Sequence, residues 1–291
     1  MLLAQSIING LLLGGLYGVA AVGFSMVWGV MGIINLAHGA YIMIGAFVSY
    51  LLFTHAGVDP FVSIPAAMAV LFAVGYAVQA WILNPVMRTS LLLTLALTFG
   101  LDLVIVDGFN MIFSSNFRAV NTGYSSASIA VGDVLIPYVR LATFGIALIL
   151  AVALYLFMNR TKAGQAILAT ALDRDVARLM GINPERVFAL TAGAGAALAG
   201  GAGALASMLI PISPAMGQTF IGAVFVITVL GGVGNVPGAV VAGFLYGLIQ
   251  SIASMTLGVS YQEIVAFSLF LAILIFRPQG LFGRRLFGEA Q

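Results

Sequence analysis

The chain has 291 residues, of which 62% are hydrophobic and 7% charged, and its mean hydropathy is +1.14. A water-soluble domain carries about a quarter charged residues, so a soluble fold is excluded and a polytopic membrane protein is expected. The formal charge of +2 is too small to recruit nucleic acid, and the absence of cysteine excludes disulfides and thiol chemistry.

No Lys, Arg, Asp or Glu appears before Asp59. A cleaved leader needs a basic beginning, so residues 6–28 are expected to form a retained first span. These 23 residues suffice to cross a hydrocarbon layer about 30 Å thick. The polar break Asn35-Leu36-Ala37-His38 follows, and then a second apolar run over residues 39–54. Irregular backbone at membrane depth persists only where it is buried in protein or lines a cavity. Asn35 and His38 are therefore candidates to line a translocation pathway, and a helical break would put them on one face. A lone histidine is also commonly a satisfied structural one, and that reading stays open.

Further spans are expected at residues 61–83, 91–113, 138–158, 187–210, 220–233, 239–255 and 261–276, about eight or nine membrane segments in all. Asp102 and Asp107 fall within residues 91–113. An intramembrane carboxylate usually faces a polar cavity or a partner. Asp107 lies near the end of its span, which leaves Asp102 as the pathway candidate. Residues 114–137 make a long loop, and its stretch IAVGDVLI alternates as a small strand pair would.

The most polar stretch is residues 159–186, which hold eight of the 20 charged residues, five of them Lys or Arg. A basic island between apolar runs marks a cytoplasmic loop. Its pattern predicts two short helices, with Ile167, Leu168, Ala171 and Leu172 on one face and Val176, Leu179 and Met180 on another. Asp173 is placed to cap the second helix, Gly181 to end it in a left-handed turn, and Asn183-Pro184 to begin the next. Apolar residues at helical spacing suit a docking element better than a merely solvated loop. Residues 230–238, LGGVGNVPG, cannot continue a helix. They form either a tight turn or a discontinuous helix beside a pathway, with Asn235 as its polar side chain.

Taking Arg88, the 159–186 island and the basic tail Arg277, Arg284, Arg285 as cytoplasmic requires even numbers of crossings between them, and the expected spans supply these. Residues 114–137 then face outward, and so does the N-terminus. The chain has no H-E-x-x-H, no G-x-S-x-G, no phosphate-binding loop and no cysteine cluster. An enzyme is not indicated, and no cofactor or metal is expected. A transporter without its own nucleotide site draws on an ion gradient or on a separate ATPase. The few intramembrane acids and the large polar loop favour the ATPase. A self-contained channel for a small neutral solute such as urea or an amide, lined by His38 and Asn235, is the alternative.

The run Gly18 through Gly39, GVAAVGFSMVWGVMGIINLAHG, resembles the opening of bacterial branched-chain amino acid ABC transporter permeases. Gly164 through Arg178, Gly181 and Ile182 resemble their ATPase-coupling loop, and LGGVGNVPGAVVAGFLYGL is similar to their glycine-rich C-terminal signature. The resemblance covers essentially the whole chain. It implies an all-α, multi-pass permease of the bacterial inner membrane, forming a single domain over residues 1–291. It further implies a second, homologous permease, two cytoplasmic ATP-binding subunits, an external solute-binding protein and surrounding membrane lipid as partners. Gly164, Leu168, Leu172, Asp173, Arg178, Leu179, Met180 and Gly181 become the candidate coupling residues. The chain departs from the family pattern at Ala40, where an acidic residue is common, and over residues 79–85, QAWILNP, where charged pairs are common. Related permeases carry urea, amides and aromatic acids as well as aliphatic amino acids, so the cargo stays open.

Overall fold

The computed structural model describes residues 2–87, 90–132, 134–277 and 280–282. The orientation markers Arg88, Arg284 and Arg285 lie outside these residues, as does Asp133. The described chain is a helical bundle. Its elements are α1 (Leu2–Met31), α2 (His38–Ala56), α3 (Pro60–Ala77), α4 (Asn84–Met87), α5 (Leu91–Phe113), α6 (Tyr138–Arg160), α7 (Lys162–Leu172), α8 (Arg174–Leu179), α9 (Pro184–Ala206), α10 (Met216–Gly231), α11 (Val236–Leu257) and α12 (Gln262–Phe276). Among the described residues eight helices are long and apolar enough to cross a membrane, and α10 is a shorter apolar helix of 16 residues. The expected third span runs further than its apolar pattern suggests. A π-helical turn, Val78–Leu83, carries α3 into α4 and extends the span to Met87.

The expected strand pair is present. β1 (Ser128–Val131) pairs antiparallel with β2 (Val134–Pro137), with Ile129 opposite Ile136. This hairpin lies against the start of α1, where the Gln5 side chain donates to the Leu135 carbonyl at 2.7 Å and accepts from its amide at 3.0 Å. The opposite end of α1 meets the polar loop, because Arg174 donates to the Met31 carbonyl. The hairpin and the α7–α8 loop therefore sit at opposite ends of the bundle, as the parity argument expects, and α1 starts at the hairpin end.

Helices α1 and α9 form the centre. In lipid no hydrophobic force drives helices together, so small residues that let backbones touch supply the packing. A Cβ at Gly14 would sit 2.7 Å from Phe244 Cα, and one at Gly243 would sit 2.5 Å from Gly18 Cα, so α1 and α11 meet backbone to backbone. Where α9 crosses α2, a Cβ at Gly203 would collide with the Ile42 carbonyl. A buried hydroxyl cluster adds polar contacts, with Ser63 donating to Ser49 at 2.8 Å and Ser207 donating to Ser49 at 3.4 Å.

This packing makes a direct prediction. Gly14→Val should lower the folded stability of the purified protein by about 1–3 kcal/mol or more, the usual cost of overpacking. Gly100 lies in α5 with nothing within 4 Å of an added Cβ, so Gly100→Ala should be neutral or stabilising by about 0.5–1 kcal/mol. Thermal unfolding of the two variants in one detergent measures the contrast. Equal midpoints would show that the α1–α11 seam is not tight.

Candidate functional site

Two regions hold the residues that the sequence singles out. The first is the α7–α8 loop. Thr161 caps α7 by accepting from the Gly164 amide at 3.0 Å. Asp173 caps α8 by accepting from the amides of Asp175 and Val176 at 2.9 and 3.0 Å. Gly181 holds φ at 82°, and Ile182 donates back to the Ala177 carbonyl at 3.0 Å, closing α8 as a glycine-terminated helix. Asn183 then caps α9 through the Arg186 amide at 3.1 Å. Every expected boundary of this loop is therefore present.

Its faces divide differently from the expectation. Gly164, Ile167 and Thr170 point into the bundle, and Gly164 lies so close to Phe157 and Met158 that no side chain fits there. Ile167 therefore leaves the face it was assigned to share with Leu168 and Leu172. The spacing fits either face of a one-sided amphipathic helix, and packing against α6 decides which residues turn inward. The outward side carries Leu172, Leu179 and Met180 at 85%, 87% and 78% exposure, with Leu168 and Val176 beside them. Arg178 pairs within the loop, 3.1 Å from Glu185 and 3.7 Å from Asp175. Arg174 was not singled out in sequence, yet it fastens the loop. Its guanidinium donates to the Met31 carbonyl and lies 5.0 Å above the Phe188 ring.

The second region is the break between α1 and α2. Residues 32–37 are not helical, so the argument that Asn35 and His38 share a helical face does not apply. Gly32 turns the chain with φ at 69°. Asn35 is buried and satisfies the break itself, its side-chain oxygen accepting from the Ala37 amide at 3.1 Å. Thr98 of α5 completes it, accepting from the Leu36 amide at 3.3 Å and donating to the Ile34 carbonyl at 3.4 Å. His38 is buried, with Nε2 3.0 Å from the Ala20 carbonyl and its ring edge-on to Phe24 at 5.3 Å. Asp102 lies one helical turn beyond Thr98, half-buried, and its carboxyl faces the Ala40 backbone amide near the start of α2. Asn35, His38 and Asp102 thus gather at one place.

Asn235 does not join them. It caps α11 through the Gly238 amide at 3.1 Å and donates to the Phe282 carbonyl at 3.0 Å. The glycine-rich stretch is the tight turn of an α10–α11 hairpin, seated against Gly29 at the loop end of α1. The structure also brings out Gln79, which sequence reading treated only as a departure. Gln79 is buried in the π turn and donates to Asn84 at 2.9 Å, and Asn84 donates to the Glu185 carbonyl at 3.0 Å. A π turn inside an apolar run leaves no periodic signal in the sequence.

Comparison with known proteins is decisive for the family. Residues 6–274 match the family described as branched-chain amino acid transport system / permease component. The chain belongs to this permease family. It is 31% identical over 293 residues to the high-affinity branched-chain amino acid transport system permease protein BraD of Pseudomonas aeruginosa, covering 96% of this chain and 95% of that protein. Identity to the permease protein LivH of Escherichia coli K12 is 30%, covering 96% and 95%. Identity to LivM of Salmonella typhimurium is 27%, covering 91% of this chain and 67% of that protein. No solved structure matches the chain. It is a multi-pass membrane permease subunit and not itself an enzyme.

The geometry of His38 is testable. His38→Ala should destabilise the purified permease by about 3 kcal/mol, the order expected when a buried ring is replaced by a cavity. An unchanged unfolding midpoint together with reduced uptake would instead assign His38 to the pathway.

Proposed function

We propose that this chain is one of two different permease subunits of an ATP-driven importer for branched-chain amino acids or related small polar solutes. The observation that carries this reading is the α7–α8 loop. It is rigid by its caps and by Arg174, yet it presents Leu172, Leu179 and Met180 to solvent at the end of the bundle opposite the hairpin. An apolar patch on a fastened loop suits docking, and in a permease without a nucleotide site the matching partner is a cytoplasmic ATP-binding subunit. Two such subunits serve two permeases. The similarity to both LivH-type and LivM-type permeases supports a second, homologous permease as the other half. Substrate arrives from an external solute-binding protein at the hairpin end, and the membrane is the bacterial inner membrane.

The pathway runs along the break at the start of α2, beside Asn35 and Asp102. His38 and Asn235 hold that geometry and the α10–α11 turn in place. The relatives named for branched-chain amino acids support that substrate class. The departures at Ala40 and over residues 79–85 are where a difference in cargo would be written.

Burying one Leu or Met side chain contributes about 1.5–3 kcal/mol, whereas an exposed ion pair contributes about 0–1 kcal/mol. Leu172→Ala, Leu179→Ala and Met180→Ala should each weaken association with the ATP-binding subunit about tenfold or more and lower ATP-driven uptake. Asp175→Asn should have little effect. Gly181→Val should uncouple transport, because a β-branched residue strongly disfavours positive φ. Pulldown together with uptake by reconstituted complexes provides the readout. Full binding by the apolar variants, with loss on Asp175→Asn, would make the docking face electrostatic. ATP-independent flux through the chain alone would overturn the importer reading.

A further inference from the structure

At the hairpin end, α1, α6, α11 and α12 part to leave an open cleft of about 360 Å³. Its polar groups fall into two sets. Gln5 is occupied by Leu135, and Gln250 donates to the Tyr246 hydroxyl at 3.1 Å. Ser6 and Ser251 clasp each other, each hydroxyl donating to the other's backbone carbonyl at 2.8 and 2.7 Å. Three of these groups build the cleft through these contacts, and Gln250 keeps its side-chain oxygen free toward it.

The second set is unspent. Half-buried Arg140, from the first turn of α6, has no acceptor or carboxylate partner among the described residues. Glu263, next to the lining residue Gln262, forms no ion pair with it. Asn9 contributes a side-chain oxygen that is fully buried and lacks a donor. Ser254 and Gln262 line the same space, also without partners among the described residues. Thus a cation, a buried acceptor and two further polar side chains converge from four different helices. A buried polar atom without a partner is costly and calls for an explanation. A guanidinium is the side chain best shaped to hold phosphate or carboxylate oxygens.

The position of the cleft identifies which anion. Arg140 follows Tyr138 by two residues, and Tyr138 is exposed and edge-on to Tyr124 of the loop. Exposed tyrosines at the end of a bundle mark the headgroup level of a bilayer. The cleft is also amphipathic, with Leu2, Leu13 and Met255 alongside the polar set. We propose that it seats the headgroup of a phospholipid from the hairpin-side leaflet. Arg140 holds the phosphate, and Asn9, once its amide turns toward the cleft, accepts from a headgroup hydroxyl or ammonium through Oδ1. This second contact selects glycerol or ethanolamine headgroups over choline, which has no donor.

The test is native mass spectrometry of the assembled complex after delipidation and re-exposure to phosphatidylglycerol, phosphatidylethanolamine or phosphatidylcholine. Phosphatidylglycerol and phosphatidylethanolamine should be retained on the permease and phosphatidylcholine lost. Arg140→Gln should reduce retention about fivefold or more, the order expected for one arginine at a lipid surface. Arg140→Lys should retain most of it. If Arg140→Gln does not assemble, Ser254→Leu fills the cleft without removing a charge and should abolish retention. Equal retention of the three lipids, or of phosphatidylglycerol by wild type and either disruptive variant, would overturn the proposal. Glycerol 3-phosphate or free leucine binding as tightly as the lipid would make this a site for soluble anions and overturn the lipid assignment. ATP-driven uptake is read in parallel, so loss of lipid with intact coupling stays separate from failure of the importer reading.

Discussion

The fold depends on one constraint, which is that a bilayer offers the backbone no hydrogen bonds and the helices no hydrophobic reason to associate. Contact must come from fit, and here fit means backbone against backbone. Gly14 and Gly18 of α1 face Gly243 and Gly247 of α11, and in α9 Gly200 faces α3 while Gly203 faces α2. These contacts leave α1 and α9 deeply buried, while α5 and α12 remain largely exposed. The same constraint governs the break after Met31. Its free amides and carbonyls are met by the side chains of Asn35 and Thr98.

Much of this was legible in the sequence because the signals were local. The spans announce themselves through runs of apolar residues, and α5 begins and ends where its hydropathy does, at Leu91 and Phe113. The loop was legible almost residue by residue, since Asp173, Gly181 and Asn183 are caps whose partners lie within a few positions. Alternation over eight residues was enough to indicate the β1–β2 hairpin.

What was not legible depends on distant parts of the chain. Nothing near Arg174 indicates that it reaches Met31, 143 positions away. Asn235 was a pathway candidate because polarity in an apolar run can mean either a cap or a lining, and its partners, Gly238 and Phe282, show the cap. Ile167 illustrates the same limit on a helix face, where spacing identifies a stripe and the neighbour decides which way it turns. The cleft at the hairpin end was invisible for the same reason, because its four helices are drawn from the beginning, the middle and the end of the chain.

Arg174 has a mechanical consequence. It sits at the first position of α8, joins the carbonyl that ends α1 and rests on the ring of Phe188 in α9. Any tilt of α8 is therefore imposed on two central helices at once. The chain turns immediately after Met31 at Gly32, the first residue of the non-helical break, which holds φ at 69°. A single guanidinium thus ties the start of α8 to the end of α1 and the start of α9. A load on α8 would be carried by that one side chain to the residue that immediately precedes the break.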